Sequence, residues 1–295
     1  MSADEKLQAG EINEALNELK DQIRKDPSDP KLRVFMFQLF ALTGDWGRAL
    51  TQLNVAGEMD PMAIAMMQVY QSTLGCESLR AKVFEGEKSP LLFGKPEEWL
   101  ALVLDQAKRA GQGQHEEAAK IREQAFEAAP ATSGTILVGK EAPEKDPDGN
   151  EPEGEPFEWI ADADPRMGPT IEVIMNGKYY WIPFNRIRRI DIEPPADLRD
   201  LVWAPAHFEW ANGGEAVGFI PTRYPGSEAS DDHAIRMARK TEWVSPAEDV
   251  YLGMGQRMLT TDQGDYPLLE IRRLVLNVEA EPDDGKNGAD TEANG

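Results

Sequence analysis

The chain has 295 residues, 41% of them hydrophobic, and a formal net charge of −22, a length that can bury two cores of ordinary size and a charge that repels nucleic acid and favours basic partners. No run approaches the roughly 18 consecutive apolar residues of a membrane span, and the opening MSADEKLQAG lacks a basic and apolar leader, so a cytoplasmic location without membrane contact is expected. One cysteine, Cys76, and three distant histidines, His115, His207 and His233, give neither a disulfide framework nor a zinc spacing, and no metal or cofactor is expected.

An internal repeat opens the chain. Gly10, Ala15, Leu16, Leu19, Asp26 and Pro27 recur as Gly44, Ala49, Leu50, Leu53, Asp60 and Pro61, each displaced by 34 residues, which is the tetratricopeptide period. The glycine permits a tight turn between helices, the alanine lets two helices approach closely, and the leucines fill the seam at helical spacing. Asp-Pro closes the second helix, because proline lacks a ladder donor and disfavours helix at the residue before it. Residues 30–43 form an apolar helix with Val34, Phe37, Leu39, Phe40 and Leu42, and another follows Pro61 with Ile64, Met67, Val69 and Tyr70. The next copy degenerates: Ser78 stands where glycine would fall, and residues 86–95 read as loop. Helical spacing returns over residues 96–110 and 114–128. About three pairs result, near the minimum for a stack with a continuous core.

Such an array leaves a concave face that its own packing does not use, where an extended peptide or helix can lie. The repeat register places Val34, Gln38, Ala41, Leu42, Ala65, Gln68 and Ser72 on that face. Their amide, hydroxyl and apolar groups suit a partner segment with both polar and apolar side chains.

Residues 139–156 read as an acidic flexible linker and residues 279–295 as a disordered acidic tail. Both bury too little apolar surface to offset the entropy of ordering. The fold expected is α+β: a tetratricopeptide-like helical domain over residues 1–138, then a small β-rich domain with one helix over residues 157–278. In that second domain residues 171–175 and 178–184 flank Asn176-Gly177, a pair that supplies the positive φ angles of a two-residue hairpin turn. A third strand is expected over 186–192, a second hairpin over 201–210 and 215–222, the helix over 231–241, and two further strands over 250–259 and 268–278. Five of the seven tryptophans, at 159, 181, 203, 210 and 243, point to an aromatic core.

Several clusters hold the residue types of chemistry without its spacing. Tyr224-Pro225-Gly226-Ser227-Glu228 lacks the second glycine of a nucleophile elbow, and a hydrolase centred on Ser227 and His207 is the enzymatic alternative. Asp162 and Asp164 resemble a metal pair superficially, but Asp before Pro favours a turn. Gly253-Met254-Gly255 is too short for a nucleotide fingerprint. Arg186, Arg188 and Arg189 form a basic cluster that pairs with the domain's own acids or contacts an acidic partner.

Within residues 161–228 four segments occur in order: DPRMGP from Asp164, NGKYYWIPF from Asn176, DLVWAPAHFEW from Asp200 and FIPTRYPGSE from Phe219. This run resembles the ImpE family, also called SciE-type virulence proteins or TagJ, which are accessory proteins of bacterial type VI secretion. The resemblance extends more weakly over the N-terminal helices. It implies a cytoplasmic, non-catalytic component that binds the N-terminal segment of the small subunit of the contractile sheath, with an indirect link to the sheath-disassembly ATPase. It brings no catalytic residues. A generic tetratricopeptide adaptor unconnected with secretion is the other non-enzymatic reading.

Overall fold

The computed structural model of the protein describes residues 3–95, 97–143 and 152–279. Seven helices come first: α1 (Ala3–Gln8), α2 (Ile12–Lys25), α3 (Pro30–Leu42), α4 (Trp46–Met59), α5 (Ile64–Phe84), α6 (Glu98–Gly111) and α7 (His115–Ala128). Their starts have local causes. The Asp29 carboxylate accepts from Lys31 N at 2.9 Å, with Pro30 in the first turn of α3, and Asp45 caps α4 by accepting from Arg48 N at 3.0 Å. Gly10 and Gly44 hold φ angles of 85° and 71°, so the two copies of the repeat use the same left-handed turn. Ala15, Leu19, Ala49 and Leu53 are fully buried at the helix seams, whereas Leu50 points outward at 37% exposure.

The strands are β1 (Leu91–Leu92), β2 (Gly134–Val138), β3 (Glu155–Phe157), β4 (Ile160–Asp162), β5 (Thr170–Met175), β6 (Lys178–Pro183), β7 (Ile187–Ile192), β8 (Trp203–Trp210), β9 (Glu215–Pro221), β10 (Thr241–Ala247), β11 (Val250–Gly255), β12 (Met258–Thr261), β13 (Asp265–Pro267) and β14 (Ile271–Leu276). Nine of them form one sheet in the order β1-β6-β5-β9-β8-β7-β14-β2-β3; β13-β12-β4 form a second, and β10-β11 a hairpin. Asn176 and Gly177 join β5 to β6 with φ angles of 51° and 69°, as the sequence predicts.

Long-range pairing corrects the expected boundaries. β1 lies in the segment read as loop, yet Leu91 and Leu92 pair in parallel with Tyr180 and Trp181. β2 pairs with β14 and β3, so a division at residue 138 would cut a strand from its sheet, and residues 155–156 of the expected linker belong to β3. A five-residue strand is too short to announce its period when its partner is far away in sequence. The helix expected over 231–241 contracts to α8 (His233–Arg236), because Thr241 already begins β10. Residues 144–151 of the expected linker and 280–295 of the expected tail lie outside the described residues.

The helices and one face of the large sheet share a core. Phe37, Tyr70, Leu74 and Phe84 from the helices meet Ile174, Tyr179, Trp181 and Trp203 from the strands. The Tyr70 ring sits 5.6 Å from Phe37, 5.8 Å from Trp203 and 5.2 Å from Phe219, centroid to centroid, within the range of favourable aromatic pairs. A second core fills the other face, where Ile171, Ile190 and Phe208 pack with Leu259 and Leu268. The chain is α+β, with its two classes of element bound through one interior.

Candidate partner-binding cleft

The joint between helices and sheet is held by a buried polar chain. Arg80 of α5 donates to Glu172 of β5 through Nε at 2.6 Å and Nη2 at 3.1 Å, and to the Arg223 carbonyl at 2.7 Å. Arg257 bridges Glu172 to Asp162 of β4, while the Tyr179 hydroxyl donates to Glu172. Trp203 Nε1 donates to Glu77 of α5 at 2.7 Å. All these side chains are buried, so each charge depends on its partners for solvation. Burial opposes ionisation of Glu172, but Arg80 and Arg257 outweigh it and hold the carboxyl at about 2. Burial, reinforced by Asp164, lifts Asp162 to about 6 although Arg257 pulls the other way.

This chain absorbs most residues with a catalytic look. Ser227 Oγ donates to Tyr224 O at 2.6 Å and accepts from Gly255 N at 2.8 Å, inside a fully buried turn. His207 faces Glu215 at 3.5 Å from β8, and no hydrogen bond joins it to Ser227 among the described residues. Asp164 accepts from Arg166 Nη2 at 2.6 Å and Gly253 N at 2.8 Å, and Asp162 from the Tyr224 hydroxyl at 3.0 Å. Among the described residues no cluster of three His, Cys, Asp or Glu side chains could hold a metal ion. The arginine cluster is turned to the protein's own acids: Arg186 to Glu97 at 2.8 Å, Arg188 to Glu209 at 3.5 Å, and Arg189 to Asp191 at 2.6 Å.

The seven residues expected on one concave face separate into three groups. Ala41 and Leu42 are fully buried, and their carbonyls accept from Arg223 at 3.4 and 2.7 Å. The sheet domain covers that part of α3, because the apolar side chains of α3 and α5 that no other helix buries find the β-strands of the same chain. Ala65, Gln68 and Ser72 lie exposed along α5, with Ser72 against the Gly177 turn. Val34 and Gln38 alone line a cavity.

That cavity is an open cleft of about 630 Å³. Leu7, Pro30, Val34, Phe35 and Gln38 form its helical wall; Pro195, Leu198 and Leu201 face them, with Met237 between. Lys31, Asp60, Asp197 and Arg239 supply charge to the lining. The facing wall has a local cause. Pro194 and Pro195 stop β7 from continuing, and Asp197 and Asp200 form a reciprocal capping box around the turn Leu198–Leu201. The Pro-Pro and Asp-x-x-Asp pattern was readable as a turn, but nothing in it told that the turn would stand opposite α3.

Comparison with known proteins follows this geometry. Residues 154–275 match the ImpE protein family. Over 275 residues the chain is 44% identical to the type VI secretion system accessory component TagJ of Pseudomonas aeruginosa, covering 93% of this chain and 90% of the relative. The chain belongs to the ImpE/TagJ family. A crystal structure of protein VPA1032 from Vibrio parahaemolyticus shares the fold, with a TM-score of 0.77 at 22% identity over 94% of this chain and 98% of that one. The motifs that carry the TagJ-family resemblance now have physical roles in the joint. DPRMGP supplies Asp164, Arg166 and Gly168, and Gly168 holds a φ of 53° beneath the Phe126 ring, where a Cβ would come within 2.2 Å. NGKYYWIPF supplies Tyr179 and Trp181, DLVWAPAHFEW supplies Trp203, and FIPTRYPGSE supplies Arg223, Tyr224 and Ser227. In this TagJ-family chain no described helix is long and apolar enough to cross a membrane.

Proposed function

We propose that this type VI secretion accessory component is a non-catalytic, cytoplasmic protein that holds the N-terminal helix of the small contractile-sheath subunit in the cleft between α3 and the Pro195–Leu201 turn. Through that contact it takes part in sheath assembly or recycling, in indirect connection with the sheath-disassembly ATPase. The tetratricopeptide-like reading of the helices belongs to the same proposal, with α3 as the helix that faces the partner. The observation that carries it is the cleft itself: an apolar floor on rigid elements with charged groups beside it, a form suited to one amphipathic helix. Val34 and Gln38, chosen from the repeat register, both line it. A segment that orders on binding gives up about 2–5 kcal/mol of its gross interaction energy, so the contact is micromolar and reversible. Co-purification with the small sheath subunit, intact and lacking its N-terminal helix, tests the reading. Retention of the intact subunit alone supports it; equal retention of both removes it.

A further inference from the structure

The β10–β11 hairpin has one strand fixed and one strand open. Gly253 N donates to Asp164 Oδ2 at 2.8 Å, Gly255 N donates to Ser227 Oγ at 2.8 Å, and Gly255 O accepts from Tyr224 N at 2.9 Å. These bonds point away from β10. The pairs Thr241 with Gly255 and Trp243 with Gly253 are therefore the non-bonded pairs of an antiparallel ladder, a phase that the Gln256 N to Lys240 O bond at 2.9 Å also sets. By the same alternation the backbone N–H and C=O of Thr241 and Trp243 face outward. Among the described residues they meet no hydrogen-bond partner.

The side chains around this edge are apolar and acidic. Trp243, Val244 and Tyr251 are 42%, 51% and 55% exposed, and Trp243 is steadied against Tyr224, with ring centroids 5.9 Å apart. From Thr241 to Gly255 the hairpin carries Glu242, Glu248 and Asp249 and no lysine or arginine. Helix α7, which packs beside β10, adds exposed Glu123 and Glu127. An open edge of this kind is a template for another strand, and natural proteins usually blunt such edges with lysine or a bulge. Here the bulge comes beyond Val244, toward the hairpin tip, and leaves Thr241 to Val244 open.

We propose that β10 is a docking edge for an extended segment of another protein in which lysine or arginine alternates with apolar side chains. The segment adds a strand to the hairpin by pairing with Thr241 and Trp243, lays its apolar side chains on Trp243 and Val244, and sets its cations against the acids. A second copy of this chain fits poorly, because it would bring together two hairpins that hold acids and no cation. The surface is distinct from the cleft and does not depend on the reading given to it.

The test uses the full-length protein and two blocked peptides, one alternating lysine with valine and one alternating glutamate with valine, with amide exchange at Thr241 and Trp243 followed by NMR. The lysine peptide is expected to slow exchange of both amides, and Val244→Lys to weaken its binding roughly tenfold with an unchanged Tm. The glutamate peptide should do neither. The proposal is overturned if the lysine peptide fails to bind, if it binds without protecting these amides, or if both peptides bind equally. It is also overturned if rising protein concentration alone protects the amides, which would assign the edge to a second copy.

Discussion

Arg80 and Glu172 stand 92 positions apart and meet in the interior through a two-pronged ion pair, Nε to Oε1 at 2.6 Å and Nη2 to Oε2 at 3.1 Å. One lies on the longest helix and the other on a strand of the large sheet. Neither charge reaches water, so each half of the chain is folded around a group that the other half must supply.

Helices and sheet should accordingly unfold together. In urea, the far-ultraviolet helix signal and the tryptophan fluorescence of Trp181 and Trp203 are expected to change in one coincident transition. A fragment of residues 1–138 should not fold alone, since it lacks Glu172 and the aromatic partners of Tyr70. Two separated transitions, or a folded fragment, would restore the division into independent domains.

Glu172→Gln leaves Arg80 and Arg257 buried without their shared anion. Removal of one member of a buried pair costs about 3–5 kcal/mol, and both spectroscopic signals should report that loss. A change of only a few tenths would mean that the guanidinium groups reach solvent.

The same network sets an acid response with two opposite slopes. Glu172 is held at about 2 when folded against 4.5 unfolded. The folded state therefore binds fewer protons, and this group's stabilisation, present above 4.5, is lost as pH falls toward 2. Asp162 is raised from 3.8 to about 6, so its contribution is present below 3.8 and is lost as pH rises through 6. Each shift corresponds to on the order of 3 kcal/mol. Urea titrations across this range should show Asp162→Asn flattening the slope at the higher pH and Glu172→Gln flattening the acid limb. If neither variant alters the profile, the network does not govern it.

Ala49 is fully buried where α4 meets its neighbours, as its counterpart Ala15 is in the first copy of the repeat. Ala49→Leu should overpack that seam and destabilise the protein by about 1–3 kcal/mol. An unchanged melting transition would mean that the seam has room.

Local signals made much of this fold legible. The 34-residue echo placed Gly10, Gly44, Ala15 and Ala49 correctly, because turns and close helix contacts depend on near neighbours. Asn176-Gly177 placed its hairpin for the same reason. Leu91, Gly134 and Glu155 were not legible as strand residues, since their pairing partners are remote and their strands too short to show a period. The candidate site divided along the same line. Val34 and Gln38 follow from the repeat register, whereas the burial of Ala41 and Leu42 under Arg223 depends on a residue 181 positions away from Leu42.

The cleft is tested most directly by calorimetric titration of the sheath subunit's N-terminal peptide into the full-length protein and two charge variants. Val34→Glu puts a carboxylate on the cleft wall, where a bound helix would desolvate it without a partner. Gln68→Glu puts the same charge on the exposed face of α5. Micromolar binding to the native protein, weakened roughly tenfold or more by Val34→Glu and unaffected by Gln68→Glu, is the predicted result. Loss of binding through Gln68→Glu with Val34→Glu silent would move the site to the outer face of α5 and contradict the assignment of the cleft.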